Sequence, residues 1–386
     1  MDIINTLDTY VAQTYGRYPV ALVSGKGALL YDDKGKEYIN MGRGIGGSVF
    51  GADDEQWLAA VTKQLNSVAH TCNLYYSEPC ARLAQLLCER TGMKSVFFSN
   101  SGAEANECAI KAARRYGAQH FDDKRYTIIT LKNSFHGRTI ATLAATGQDV
   151  FHEEFGPFPE GFVYADPNVP GDLTRLADEN KCCAVMIEVI QGEGGVLPLS
   201  ADFIEEVKAV CEKHDMLLIT DEVQTGNGRT GKLYGYMHFG LEPDIVSTAK
   251  GLGGGLPIGA TMFSERADVF TPGSHGSTFG GNPVACAGAC SIIERLDDAM
   301  MAEVMRKSEY IRKQLEGAKG VVSVAGIGLM LGIQTERPAA DIVKSCIERG
   351  VLPLTAKTKV RLLPPLTITD EQLEKAINII KEEIAK

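Results

Sequence analysis

The chain has 386 residues, of which 44% are hydrophobic and 23% are charged, and its formal net charge is −10. This length allows one large domain plus a smaller one with a sizeable core. The acidic balance argues against nucleic acid or an anionic membrane as the main partner, so an anionic substrate must be bound by local arginines. No stretch is long enough to cross a bilayer, and the first residues do not resemble a signal peptide, which predicts a cytoplasmic protein.

The ten cysteines are scattered along the chain and form no CxxC pair. This pattern predicts free, mostly buried thiols in a reducing compartment and no zinc-type metal site.

The first fifty residues predict an entry helix followed by a hairpin. Ala28–Tyr31 and Glu37–Asn40 read as two strands around a turn at Asp32–Gly35. The glycine-dense run Gly42–Ser48 follows, and it predicts either a loop beside a ligand or a plain irregular loop.

From about residue 80, helical stretches alternate with short apolar strands. The predicted strands are Val96–Phe98, Thr127–Thr130, Ala184–Ile187, Leu217–Ile219, Ile245–Val246 and Ala260–Phe263. This alternation indicates an α/β domain with a mainly parallel sheet, whose ligand site gathers at the carboxyl ends of the strands.

Ser101 and Glu104 form a capping-box pattern directly after the first of these strands. The free amides of Gly102 and Ala103 at the start of the helix would suit an anion such as a phosphate group. An ordinary capped helix explains the same pattern equally well.

The loop after the next strand contains Phe135 and Arg138. An aromatic ring can stack on a flat cofactor, and an arginine can bind a carboxylate with two hydrogen bonds. A core aromatic residue and a surface cation remain the alternatives.

Carboxylates follow two further strands, with Glu193 in one loop and Asp221 in the other. A buried Asp221 could pair with a protonated pyridine nitrogen, and Gln224 could bind a ring oxygen of the same cofactor. A metal site or a solvated rim would also account for the Asp221–Glu222 pair.

Lys250 lies where a short apolar strand meets the glycine-rich bend Gly251–Gly255. A desolvated lysine amine readily forms a Schiff base with a carbonyl cofactor, although a solvated lysine beside a loop is the more common case. A nucleotide-binding oxidoreductase is disfavoured because the glycine spacing does not match GxGxxG. Further along, Thr278 offers a hydroxyl in a glycine-rich loop, and Arg361 stands near a strand start in a second, C-terminal domain.

Taken together, these motifs resemble the class III pyridoxal-phosphate aminotransferases of the ornithine and acetylornithine type along nearly the whole chain, with the closest likeness to the acetylornithine branch. The matching segments, in family order, are Tyr15–Val20, His70–Tyr76, Ser101–Asn106, Phe135–Arg138, Gln191–Gly195, Asp221–Gly226, Lys250–Gly255, His275–Asn282 and Leu363–Pro365.

The resemblance implies roles position by position. It implies that Lys250 forms the Schiff base and carries the proton, and that the cofactor pyridoxal 5'-phosphate is held by the following residues: Gly102, Ala103, Phe135, Asp221, Gln224 and Thr278, the last from the neighbouring subunit. It implies that substrates contact Tyr15, Arg138, Glu193, Ser277 and Arg361. Arg361 is expected to bind the α-carboxylate of glutamate or 2-oxoglutarate, and Glu193 to neutralise Arg361 when the other substrate binds through its terminal amine.

The resemblance also implies the fold and the activity. The expected fold is the type I fold of such transferases, with an N-terminal segment (1–50) against the small domain, a large domain (51–283) with a seven-stranded sheet, and a small α+β domain (284–386). The expected enzyme is a cytoplasmic homodimer that transfers the terminal amine of N2-acetyl-L-ornithine to 2-oxoglutarate in arginine biosynthesis.

The chain departs from the family pattern at Gly46–Gly47–Ser48, near the substrate entrance in relatives. Ornithine, succinylornithine, a lysine derivative and 4-aminobutyrate therefore remain alternative donors. A binding or regulatory protein that has lost catalysis on the same fold is a further alternative, disfavoured because Lys250 and Asp221 are both present.

Overall fold

The computed structural model describes residues 2–123 and 125–386. Its helical segments are α1 Ile3–Tyr10, α2 Arg43–Gly46, α3 Glu55–Leu65, α4 Glu78–Thr91, α5 Gly102–His120, α6 Ile140–Ala145, α7 Asp172–Glu179, α8 Ala201–His214, α9 Pro283–Ile293, α10 Asp298–Leu315, α11 Ala339–Glu348 and α12 Asp370–Ile384. Three short 3₁₀ segments lie at Asp149–Phe151, Gly235–His238 and Lys250–Gly253.

The strands are mostly four to seven residues long. They are β1 Leu22–Lys26, β2 Leu29–Asp32, β3 Glu37–Asn40, β4 Ser95–Ser99, β5 Thr127–Leu131, β6 Phe162–Ala165, β7 Cys182–Ile187, β8 Ile190–Gln191, β9 Leu197–Pro198, β10 Leu217–Asp221, β11 Ile245–Thr248, β12 Gly259–Phe263, β13 Val321–Ile327, β14 Met330–Thr335, β15 Val351–Leu352, β16 Leu354–Ala356 and β17 Lys359–Leu362.

Seven strands form the central sheet in the order β4-β12-β11-β10-β7-β5-β6. Only β12 runs antiparallel to its neighbours, so the predicted mainly parallel seven-stranded sheet is confirmed. The edge strand β6 was missed by the sequence prediction. The structure identifies it by its parallel pairing with β5.

Both faces of this sheet are buried, as expected when helices cover a parallel sheet on each side. Alternate residues of one strand enter different clusters: Met186 packs with the small residues of α5, whereas Val185 packs in the larger core on the other face. The run of alanines in α5 lets that helix lie close against the sheet.

The predicted hairpin near the N-terminus is confirmed, with Leu29 opposite Ile39 in an antiparallel pair. The same sheet takes in β15 from the C-terminal part of the chain, where Ile39 faces Val351 in parallel register. A separate four-stranded sheet, β13-β14-β17-β16, carries Arg361. The boundaries at residues 50 and 283 stay predictions, and α9 packs on α3 and α4.

Throughout residues 2–123 and 125–386, no helix combines the length and the apolar character needed to cross a bilayer.

Candidate active site

Several predicted site residues follow the carboxyl ends of strands that run in the same direction in the central sheet. Strand β4 leads into α5, β10 ends at Asp221, and β11 ends two residues before Lys250. Because parallel strands end at a common edge, these groups converge there.

Asp221 is the most firmly held carboxylate of the site. It is 4% exposed, and its Oδ2 lies 2.8 Å from both Nδ1 of His136 and Nδ2 of Asn106, while the Val223 amide donates to Oδ1 at 3.0 Å. Side-chain and backbone donors therefore fix the orientation of this acid.

Asn106 is a site residue to which the sequence analysis gave no role. Its amide nitrogen donates to Asp221 and to the His136 carbonyl (2.7 Å), and its oxygen accepts from Ser247 Oγ at 2.5 Å. The sequence does contain one signal for a special role of Asn106, because asparagine is a poor helix former and this one lies in an alanine-rich helix. Its partners, in contrast, come from other elements and cannot be read from the sequence.

The Lys250 amine lies in a strongly charged, desolvated setting. Burial lowers its pKa, and the nearby charge of Arg361 lowers it further, while Glu193, Asp221 and Glu188 act in the opposite direction. In the described part of the chain no hydrogen bond engages this amine. Lys250 also has a positive φ of 42° at the start of its 3₁₀ turn, an uncommon conformation for a residue with a Cβ.

Arg361 and Glu193 form an ion pair beside Gln224. Arg361 Nη1 lies 2.5 Å from Glu193 Oε1 and 3.2 Å from Gln224 Oε1. Burial alone would raise the pKa of Glu193, but the Arg361 charge and hydrogen bond bring it below its usual value. The structure thus brings together the two residues that the sequence analysis expected to interact.

Phe135 and Arg138 lie on the loop after β5. The Arg138 guanidinium is exposed and lies 4.2 Å from the ring centroid of Phe151 and 5.6 Å from that of Phe135. Glu188 holds this loop through the Phe135 amide at 2.8 Å. Burial raises the pKa of Glu188 to about 7.

The start of α5 forms one wall of the site. Ser101 caps the helix through the Glu104 amide (3.2 Å), which is the first half of the predicted capping box. The second half differs, because the Glu104 carboxylate accepts from the amide of Asn100 (2.9 Å) and not from that of Ser101. A β carbon on Gly102 would lie 2.7 Å from Cγ1 of Val223, so the helix start packs directly on the Asp221 loop. Asn100 donates to Ser277 Oγ at 3.1 Å, which places the Ser277 loop of the same chain against this helix start.

Two predicted site residues stand apart from this cluster. Thr278 is exposed, and Tyr15 is 73% exposed with the Arg17 guanidinium 5.7 Å from its ring centroid. Across the described residues, no hydrogen bond or ion pair connects either of them to the other predicted site residues.

Asp221 and Glu222 point in different directions and do not share a ligand site. Glu222 accepts hydrogen bonds from Thr225 Oγ1 and from the amides of Gly235 and Tyr236, all within 2.7 Å. Within the described chain, no group of three or more potential metal ligands is present.

The glycine-dense run forms a left-handed turn beside the lysine loop. All four residues Arg43–Gly46 have positive φ, and Asn40 Oδ1 accepts hydrogen bonds from the amides of Gly42 and Arg43. Ser48 Oγ lies 3.2 Å from the Gly254 carbonyl oxygen, so the turn is tied to the loop that carries Lys250.

Comparisons with known proteins agree on one family. Residues 10–384 match the model of the family described as aminotransferase class-III. An acetylornithine aminotransferase of Haemophilus ducreyi is 49% identical over 100% of this chain and 99% of its own length, and that of Bacillus subtilis is 44% identical over 97% of each chain. The structure of the ornithine aminotransferase from Toxoplasma gondii superposes with a TM-score of 0.94 at 31% identity, covering 99% of this chain and 94% of that one.

Proposed function

The chain belongs to the class III aminotransferases, and from that premise we propose that it is a pyridoxal-phosphate-dependent enzyme that transfers the terminal amine of N2-acetyl-L-ornithine to 2-oxoglutarate. The products would be N-acetylglutamate 5-semialdehyde and glutamate. The observation that carries the proposal is the convergence of Lys250, Asp221 and the Arg361–Glu193 pair in one buried charged site. The donor is inferred from the acetylornithine aminotransferases that cover the whole chain.

The residues present fit pyridoxal 5'-phosphate. Asp221 retains lone pairs for a protonated ring nitrogen, and the helix-start amides of Gly102 and Ala103 suit the phosphate. Gln224, which contacts the Arg361–Glu193 pair, would bind the ring oxygen. Phe135 would stack on the ring. When bound, this cofactor supplies an aldehyde that exchanges amines and a ring that withdraws electrons from the substrate carbon.

Lys250 would hold and move the proton. Because burial lowers its pKa, a larger fraction of this amine is uncharged near neutral pH than for an exposed lysine, and only the uncharged amine can act as a base or nucleophile. Glu193 and Asp221 counteract that shift, so the amine can also take up the proton that it later returns.

The Arg361–Glu193 pair gives a physical basis for accepting two unlike substrates. With Glu193 in place, Arg361 is neutralised and the site suits a donor that enters through its terminal amine. A substrate α-carboxylate would replace Glu193 as the partner of Arg361. Arg138 and Tyr15 would bind the α-carboxylate of acetylornithine or the second carboxylate of glutamate, with Ser277 beside them.

We further propose a homodimer with shared active sites. Leu74, Tyr75, Tyr76 and Phe279 are 58% or more exposed and lie in the two loops that border the Ser277 region. Exposed apolar side chains of this kind mark an interaction surface. Such an interface would allow Thr278 to reach the phosphate group of the partner's cofactor.

A half-reaction screen tests the function. Cofactor-loaded protein is mixed separately with acetylornithine, ornithine, succinylornithine and 4-aminobutyrate, and the loss of the visible cofactor absorbance is followed. We expect acetylornithine to react fastest. Ornithine is the second candidate, because an ornithine aminotransferase has the same fold over 99% of this chain.

Lys250→Ala is expected to abolish turnover with every donor, whereas the exposed Lys63→Ala should react like the wild type. Turnover by Lys250→Ala at the wild-type rate would show that the assignment of the lysine is wrong.

A further inference from the structure

Glu188 is a buried carboxylate at the edge of the central sheet, and the proposed function gives it no role. It directly follows β7, whose last residue Ile187 is opposite Thr220 of β10, and β5 lies on the other side of β7. Glu188 therefore stands between Asp221 at the end of β10 and the loop after β5 that carries Phe135. The residue is only 5% exposed, so it does not serve as a solvated surface charge.

The two oxygens of this carboxylate hold backbone amides from two different loops. Oε1 accepts from the Phe135 amide at 2.8 Å, and Oε2 accepts from the Gly192 amide at 3.0 Å. Hydrogen bonds to an ionised acceptor are stronger than those to a neutral one. A single side chain therefore fixes the position of the Phe135 loop relative to the segment that contains Gly192 and Glu193.

This segment is closely packed on both sides. A β carbon on Gly194 would lie 2.5 Å from the Asn133 carbonyl oxygen, so the segment touches the Phe135 loop directly. A β carbon on Gly192 would lie 2.6 Å from atoms of the Gln224 side chain, which also donates to Glu193 Oε1 at 3.3 Å. The position of the Gly192 amide is therefore transmitted to the residues that surround Glu193.

We propose that Glu188 is a positioning residue for substrate selection, which holds the Gly192 amide and thereby keeps the neighbouring Glu193 carboxylate on Arg361. This role rests on the proposed function, in which the Arg361–Glu193 pair is closed for the amine donor and open for a substrate α-carboxylate. Gly192 and Glu193 are adjacent, so a Gly192 amide released from Glu188 gives Glu193 more freedom to leave Arg361.

Glu188→Gln removes the charge and keeps the size of the side chain. Glutamine has one acceptor oxygen, so at most one of the two amides keeps a partner, and that bond loses its charge assistance. We expect the amine donor to react more slowly, because Arg361 is then less well neutralised and disfavours the charged terminal amine. Glutarate, a dicarboxylate without an amine, should bind more tightly, because Glu193 competes less strongly for Arg361.

Rapid-mixing half-reactions and glutarate titrations of the cofactor-loaded protein at pH 8.5 test the proposal. At this pH the wild-type Glu188 is mostly ionised, since burial raises its pKa to about 7. We expect Glu188→Gln to react about tenfold more slowly with the donor and to bind glutarate about threefold more tightly. Glu222→Gln is the matched control, because Glu222 also holds two backbone amides, and it should leave the ratio of the two measurements unchanged.

A double-mutant cycle separates positioning from a general loss of structure. When Glu193→Gln has already weakened the ion pair, adding Glu188→Gln should change neither measurement by more than about twofold. A donor rate and a glutarate affinity that fall together in Glu188→Gln would overturn the role, as would a full additional effect in the Glu193→Gln background.

Glu188→Asp covers the case in which Glu188→Gln does not fold. Aspartate keeps the charge but is one methylene shorter, so we expect the same two opposite shifts, and unchanged values would equally overturn the role. A wild type that reacts with none of the four donors would refute the proposed function, whereas the glutarate titrations would still test Glu188.

Discussion

At the scale of single residues, the buried carboxylates of this protein differ in what donates to them. Asp221 receives hydrogen bonds from two side chains of other elements and from one backbone amide, whereas Glu222, one position later, receives them from two backbone amides and a hydroxyl. The hydrogen bonds of Asp221 orient its carboxylate toward the proposed cofactor site, whereas those of Glu222 only hold neighbouring parts of the backbone together. Adjacent acids in the sequence therefore serve different purposes because their side chains point in opposite directions.

Asn106→Ala tests the support of Asp221. The substitution removes one of the hydrogen bonds to Asp221 and leaves the His136 carbonyl and Ser247 without their partner. We expect the dissociation constant of pyridoxal phosphate to rise about tenfold, the value of one charge-assisted hydrogen bond of about 1.4 kcal/mol. Cofactor titration followed by absorbance measures this. The exposed Asn168→Ala variant is the control, and unchanged affinity in Asn106→Ala would refute the positioning role.

Glu222→Gln tests the pH dependence of stability. Burial raises the pKa of Glu222 to about 7 from its usual value of 4.5, so the folded state binds a proton more tightly than the unfolded state. Its contribution to stability is therefore largest at low pH, falls as the pH rises through this window, and levels off above about pH 7. The total fall is roughly 3 kcal/mol, at about 1.4 kcal/mol per pKa unit.

Glutamine cannot titrate, and its side-chain amide would face the two backbone amides that donate to Glu222. We therefore expect the variant to be less stable than the wild type at pH 5, and the difference in the free energy of unfolding to shrink by pH 8. Denaturant unfolding at fixed protein and cofactor concentration measures both values. Glu242→Gln, at an exposed position, should show a constant difference from the wild type. A deficit for Glu222→Gln that grows with pH would contradict the raised pKa.

At the scale of elements, the start of α5 connects two proposed parts of the cofactor site. Gly102 supplies an amide at the helix start and simultaneously accommodates Val223, which follows Asp221 closely in the chain. The φ of Gly102 is not in the left-handed region, so the backbone conformation does not require glycine here. The absence of a side chain instead allows the helix start and the loop to approach each other closely.

Gly102→Ala is expected to displace Val223 or the helix start, because the new methyl group would lie 2.7 Å from Val223 Cγ1. We predict cofactor affinity weaker by about tenfold, with little loss in melting temperature of the cofactor-free protein. Val223→Ala in the same chain removes the crowded methyl groups and should restore most of the affinity. Failure of this second substitution to rescue binding would show that the contact is not the cause.

At the scale of the whole molecule, the proposed second copy of the chain would account for the exposure of Thr278 and of the apolar side chains near it. The proposed dimer gives this loop a function across the interface.

Subunit mixing tests the shared sites. Lys250→Ala and Thr278→Ala are each expected to show low activity alone. If Thr278 acts on the partner's site, one site of each mixed dimer carries both defects and the other carries none, so activity should recover to about one quarter of the wild-type level after random exchange. Mixtures that stay at the sum of the two separate activities would exclude a shared site.

Much of this organisation could be predicted from the sequence. Alternating helices and apolar strands indicated the parallel sheet, and the position of Asp221 and Lys250 directly after strands indicated that they would meet at one edge. These signals are local, because the end of a strand and the residues that follow it are adjacent in the sequence. The resemblance to class III aminotransferases added residue roles, and the family comparison confirmed the family.

The tertiary structure decided everything that depends on segments distant in the chain. The contact of Asn106 with Asp221 and Ser247, the ion pair of Arg361 with Glu193, and the approach of the Arg43 turn to Arg229 each join residues more than a hundred positions apart. Residue type and local pattern say nothing about such partners, because the partner's identity follows from how the sheet and the C-terminal strands pack. The sequence by itself therefore determined the fold class and the edge where the site lies, and the packing determined which buried charges are paired.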